Sequence, residues 1–142
     1  MLEVGAGYGL LRIGFASSDF LKGVEYLATD IRPRHESWIV EQLDQLEAVR
    51  KYQPSLVICS WPPVVGGASE WPKAWAEAGV QEYLVIGPWP LQEHSWTDWN
   101  LRAGNLFYPL PGWRRTHLEE LTREAVDTYA NSSRVYSFRK KS

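Results

Sequence analysis

The sequence predicts an α/β fold, and three observations carry that expectation. Short apolar runs alternate along the chain with stretches of helical periodicity. Two of the runs, "SLVICS" (55–60) and "EYLVIG" (82–87), are apolar enough throughout to be strands covered on both faces. A glycine-rich turn, "VGAGYG" (4–9), joins the first apolar run to the first helical stretch, as at the start of a strand–turn–helix unit.

The elements follow in order. Leu2–Val4 is a first strand, and residues 10–21 form a helix stopped by Gly23. Residues 24–29 make a second strand with Asp30 at its end; "RPRHES" is a loop, and 38–42 a brief third strand. Asp44 and Glu47 have capping-box spacing for a helix over 46–52, which Pro54 ends. Residues 55–60 are the fourth strand, closed by "WPP". Ser69 caps a helix running through Ala78, with Trp71 and Trp75 on one face as core residues and Gly79 as its stop. The fifth strand, 82–87, is closed by "PWP". Residues 92–112 are long, aromatic and irregular, with one helix near 97–103; a segment of that length usually serves function. Residues 134–139 alternate as an antiparallel strand, and 113–121 are either its partner or a helix.

Composition narrows the class. A chain of 142 residues is one domain, residues 1–142, large enough to bury a core. A net charge of −2 speaks against a dedicated nucleic-acid binder, because such affinity comes mainly from phosphate neutralisation. A single cysteine excludes a disulfide framework and fits a reducing compartment; Cys59, inside an apolar run, is an inert core thiol. Glu3 and glycines follow Met1 at once, which predicts no signal peptide, and no apolar run has membrane-spanning length. The expectation is a cytoplasmic protein. His35, His94 and His117 lack metal-ligand spacing, so no metal site is expected and no general base is singled out. Ser60 has no nucleophile-elbow context. Arg32, Arg34 and His35 form a solvated basic loop, and "RKK" (139–141) an exposed tail.

Glycines between a strand and a helix let the backbone approach a ligand where a β-carbon would clash. The dinucleotide pattern G-x-G-x-x-G/A fails here, since Leu10 stands at the third small position. Glu3, Gly5, Gly7 and Gly9 instead satisfy E-x-G-x-G-x-G. In this, "LEVGAGYG" resembles motif I of the class I S-adenosylmethionine-dependent methyltransferases. The resemblance implies a Rossmann-like three-layer α/β/α sandwich with a mostly parallel sheet and an antiparallel C-terminal strand. It also implies S-adenosyl-L-methionine as cofactor. On that reading Gly5, Ala6, Gly7, Tyr8 and Gly9 pack against the amino-acid part, and Glu3 orients the turn. Asp30, 21 residues after Gly9, takes the ribose hydroxyls beside Ile31. Asp44 meets the adenine amino group with Gln45 and Leu46 flanking the ring; capping remains an equally good account of Asp44. "CSWPP", with Ser60 and Trp61, resembles loosely the Pro-Pro loop of amino-methylating members, with Trp61 intervening, so an amine acceptor is not selected. The family usually carries a helix before its first strand, which implies a truncated or minimal core.

Trp61 and Trp89 directly follow buried strands at the carboxyl edge, where open α/β sheets bind ligands; Trp96 and Trp99 lie in the long segment beyond. With Pro62 and Pro63 they are the candidate wall for a flat or apolar small-molecule acceptor, with ordinary packing as the competing account. The expected reaction is in-line methyl transfer to O, N, C or S. The alternatives are a catalytically inactive binding module of the same fold, a nicotinamide oxidoreductase (disfavoured by Leu10 and the lack of a Tyr-Lys pair), and nucleic-acid modification, disfavoured by charge.

Overall fold

The computed structural model describes residues 1–16, 23–33, 39–60, 70–88, 109–119 and 133–142. Within them run β1 (Leu2–Val4), α1 (Leu10–Ala16), β2 (Leu27–Asp30), β3 (Glu41–Gln42), α2 (Gln45–Tyr52), β4 (Leu56–Ser60), α3 (Trp71–Glu77), β5 (Glu82–Pro88), β6 (Trp113–His117) and β7 (Ser133–Lys140). The strands form one seven-stranded sheet in the order β3-β2-β1-β4-β5-β7-β6. The first five are mutually parallel; β7 runs antiparallel to β5, and β6 antiparallel to β7. The fold is therefore α/β with a mostly parallel sheet and an antiparallel edge. The order reverses between β1 and β4, and at such a switch point the loops leaving the strands diverge and open a crevice.

Register explains the burial. Leu2, Val57, Tyr83 and Phe138 form one row across β1, β4, β5 and β7, and Val4, Cys59, Val85 and Tyr136 form the next. Because strand side chains alternate, both rows share a face. Ala48 and Val49 of α2 and Trp75 of α3 pack with them in one buried cluster. Tyr83 anchors it: its ring stacks on Phe138 at 4.7 Å and meets Trp75 at 5.6 Å and Trp113 at 5.4 Å. The opposite face is buried too, at Glu3, Ala28, Ile58, Val135 and Ser137. Coverage on both sides is what the unbroken apolar character of β4 and β5 foreshadows.

The boundaries depart from expectation for identifiable reasons. β2 begins at Leu27 rather than at residue 24: its ladder with β1 starts at the Leu2–Leu27 pair. Val24 is exposed. β3 is only Glu41–Gln42. Asp44 caps α2 through the Leu46 N–H, not the N–H of Glu47 that a capping box uses. The N-cap of α3 is Glu70, without a side-chain cap, and Pro stands in its first turn, where the missing N–H costs nothing. Residues 113–117 are strand, not helix, since β7 supplies a full antiparallel ladder. Arg139 and Lys140 belong to β7 and are no loose tail. Ser69, the continuation of α1 to residue 21 and the helix near 97–103 lie outside the described residues. Among the described residues, no helix is long and apolar enough to cross a membrane.

Candidate functional site

The glycine turn leaves β1 at the switch point in a conformation that only glycine adopts cheaply. Gly5, Gly7 and Gly9 have φ of +69°, +55° and +71°. The three differ in what surrounds them. Among the described residues a Cβ at Gly5 or Gly7 would meet nothing within 4 Å, whereas one at Gly9 would fall 2.7 Å from Val40 Cγ2 and 3.0 Å from Ile39 Cδ1. Gly9 thus serves internal packing, while the backbone at Gly5 and Gly7 is bare toward open space. The turn is knitted by Ala6 N–H donating to the Thr29 carbonyl at 3.0 Å and Gly9 N–H donating to the Ala6 carbonyl at 2.8 Å. Tyr8 is half-exposed beside it.

Asp30 ends β2 next to this turn and joins it. Its Oδ2 accepts the Gly7 N–H at 2.9 Å, and its Oδ1 accepts the Arg32 N–H at 2.7 Å. A carboxylate has about four lone-pair sites, so roughly half its accepting capacity remains for a ligand. An N–H expected to face a ligand instead holds the acid in place. Ile31, immediately beyond, is exposed.

Glu3 lies beneath the turn, buried to 2 % exposure between Ala28 of β2 and Ile58 of β4. Burial pushes its carboxyl up to about 7; the Tyr26 hydroxyl, donating to Oε2 at 2.7 Å, opposes the rise, and the Asp30 charge adds to it. Tyr26 is a partner that reading the sequence missed. The available signal was alternation, since Tyr26, Ala28 and Asp30 share parity along β2 and its approach. Burial, and secondarily Glu3, pushes the Cys59 thiol up to about 12, so it stays protonated at neutral pH.

The remaining candidates divide. Asp44 caps α2, its Oδ1 accepting the Leu46 N–H at 2.8 Å. Gln45 turns inward: its Oε1 accepts Trp75 Nε1–H at 2.6 Å in a buried bond tying α2 to α3. Ser60, at the carboxyl end of β4, directly follows the Val4–Cys59 pair, as Gly5 does on β1. Its hydroxyl is buried with no hydrogen-bond partner among the described residues. Such a group costs about 1–3 kcal/mol when left unpaired. Trp61, Pro62, Pro63, Trp89, Trp96 and Trp99 lie outside the described residues. Among the described residues, no three His, Cys, Asp or Glu side chains gather as a metal site.

Glu3, the glycine turn, Asp30 and Ser60 therefore converge where β1, β2 and β4 end. Among the described residues the arrangement offers bare glycine backbone, one carboxylate acceptor and one unpaired hydroxyl at the carboxyl ends of adjacent strands, a set suited to a polar small molecule with hydroxyl groups. No protein-family model matches the chain, and no curated protein matches it at a significant level.

Proposed function

We propose that the chain is the Rossmann-like core of an S-adenosylmethionine-dependent methyltransferase, a three-layer α/β/α sandwich acting on a small-molecule acceptor in the cytoplasm. One observation carries the reading: the glycine turn and the acid of β2 are joined by the Gly7–Asp30 bond at the point where the strand order reverses. The order 3-2-1-4-5 with a reversed strand near the far edge supports it, as does burial on both sheet faces. The single cysteine, a buried free thiol, supports the reducing compartment.

The residues fit the cofactor. Gly5 and Gly7 leave the space that a Cβ would fill, Asp30 keeps accepting capacity for two ribose hydroxyls, and the unpaired Ser60 hydroxyl suits a polar group nearby. When bound, S-adenosylmethionine would supply an electrophilic methyl group on a sulfonium. The chain's own contribution is position: Asp30 and the glycine turn set the depth of the ligand, and Glu3 supports the turn from below. No side chain is assigned as a base, because an acceptor that is already nucleophilic needs none. Titration calorimetry with S-adenosylmethionine and S-adenosylhomocysteine tests the reading, with binding of both expected. Absence of heat with folded protein overturns it, and binding without methyl transfer marks an inactive binding module of the same fold.

A further inference from the structure

The C-terminal hairpin concentrates positive charge that the balance of the whole chain hides. Residues 109–142 hold seven Lys or Arg residues against four Asp or Glu, and the four acids all fall within 119–127, in a chain whose net charge is −2. Local potential, not net charge, decides what a surface attracts. Arg114, Arg115, Lys140 and Lys141 are exposed. Arg139 is committed to Glu82 across β5, through Nε at 2.9 Å and Nη2 at 2.5 Å, and Arg115 lies over the Tyr136 ring at 5.5 Å. Arg114, Lys140 and Lys141 make no ion pair among the described residues.

Register places these cations together. Arg114 stands opposite Arg139, and Trp113 opposite Lys140. They cluster where β5 begins, since Arg139 also faces Glu82, at the opposite end of the sheet from the glycine turn. Like charges paired directly across strands cost stability, and Glu82 offsets only one of the facing arginines. Charge on an outermost strand also discourages pairing with another sheet. That need would be met by β6 alone and accounts for neither Lys140 nor Lys141.

We infer that this hairpin edge binds the phosphate backbone of a single-stranded nucleic acid. Arg114 and Arg115 are successive strand residues and project to opposite faces of the sheet. A planar membrane meets one face only, and the exposed large apolar side chains among the described residues (Tyr8, Leu10, Ile13, Val24 and Ile31) all lie outside the hairpin. A duplex, with a persistence length of about 50 nm, does not bend around so short an edge, whereas a flexible strand does. A peptide would need acids at matching positions; a nucleic acid carries a phosphate at every nucleotide. Trp113 and Tyr136 are buried, so they offer no platform for stacked bases, and binding is indifferent to sequence.

Fluorescence anisotropy of the full chain with dye-labelled oligo-dT and oligo-dA of about 20 nucleotides tests this surface. Three phosphate contacts give a log–log salt slope of about −2 for a single strand, or roughly a 20-fold loss of affinity between 50 and 200 mM salt. Both oligonucleotides bind alike. The combined Arg114→Gln, Lys140→Gln and Lys141→Gln variant, checked for unchanged circular dichroism, binds about tenfold more weakly or worse at low salt. The inference is overturned by absence of binding at low salt, by a salt-independent affinity, or by a variant that binds like the parent. Equal affinity for poly-glutamate, a duplex of the same length or phosphatidylserine vesicles also overturns it. The salt slope needs no variant, so misfolding of the triple substitution would not rescue or sink the idea.

Discussion

Asp30 Oδ2 accepts the Gly7 N–H at 2.9 Å, and through this bond two strands that are neighbours in the sheet share one binding element. The carboxylate that ends β2 fixes the turn that ends β1. Charge-assisted hydrogen bonds of this kind contribute about 1.5–3 kcal/mol, so Asp30 holds the turn in place, and under the proposed function it would hold a ligand as well.

Asp30→Asn keeps the shape but replaces one acceptor by a donor facing the Gly7 N–H. The expected outcome is a loss of about 1–2 kcal/mol in urea unfolding. Affinity for S-adenosylhomocysteine falls at least about tenfold, beyond what global stability explains, as measured by calorimetry on the folded fraction.

Gly7→Ala and Gly9→Ala separate open space from packing. At either position the positive φ costs roughly 1–2 kcal/mol for a residue with a Cβ. At Gly9 the new methyl also meets Val40 Cγ2 at 2.7 Å, and overpacking adds about 1–3 kcal/mol. Denaturation should rank Gly9→Ala below Gly7→Ala in stability, and cofactor binding should suffer in Gly7→Ala at a stability that still supports folding. Equal unfolding midpoints would contradict the distinction.

Glu3 makes stability depend on pH with a definite sign. Its carboxyl sits near 7 in the folded protein against 4.5 ordinarily, raised by burial. Below about pH 4.5 both states carry the proton and the contribution is fully present. Between there and about pH 7 the unfolded chain ionises while the folded one stays neutral, so stability falls. Above that range the loss is complete, at about 3 kcal/mol. Glu3→Gln should flatten this segment of the curve, becoming the more stable protein at pH 8 and not at pH 4.5. Parallel profiles for the two proteins would refute the assignment.

Tyr83→Phe should stabilise the protein. The Tyr83 hydroxyl is buried with no partner among the described residues, while its ring stacks on Phe138 at an interplanar angle of 9°. The substitution keeps the stack and removes an unpaired polar group, for a gain of about 1 kcal/mol, visible as a higher melting temperature.

What could be read from the sequence was what local chemistry decides. The three glycines, the placement of Asp30 and the capping role of Asp44 follow from neighbours a few residues away, and all appear in the structure. What was missed shares a different cause. The bond between Gln45 and Trp75 depends on how α2 packs on α3, thirty residues apart. Tyr26 finds Glu3, and Arg139 finds Glu82, only once strand register is known. Residues 139–141 looked like a tail because consecutive charges mask their alternation; Arg139 and Lys140 are exposed at the end of β7, although the strand is paired on both sides by β5 and β6. The total charge of −2 likewise says nothing of its segregation.

β1, an interior strand of the sheet, is three residues long, and its partner on one side, β4, lies about 55 residues later in the chain. During synthesis at roughly 5–20 residues per second, β4 follows it from the ribosome only after about 3–10 s. Through that interval Leu2 and Val4 have no neighbour on their β4 side, and the β1–β4 ladder waits for β4 to emerge. Anything that slows the emergence of Val57 and Cys59 therefore lengthens the time during which β1 lacks that partner and the nascent chain is open to misassembly.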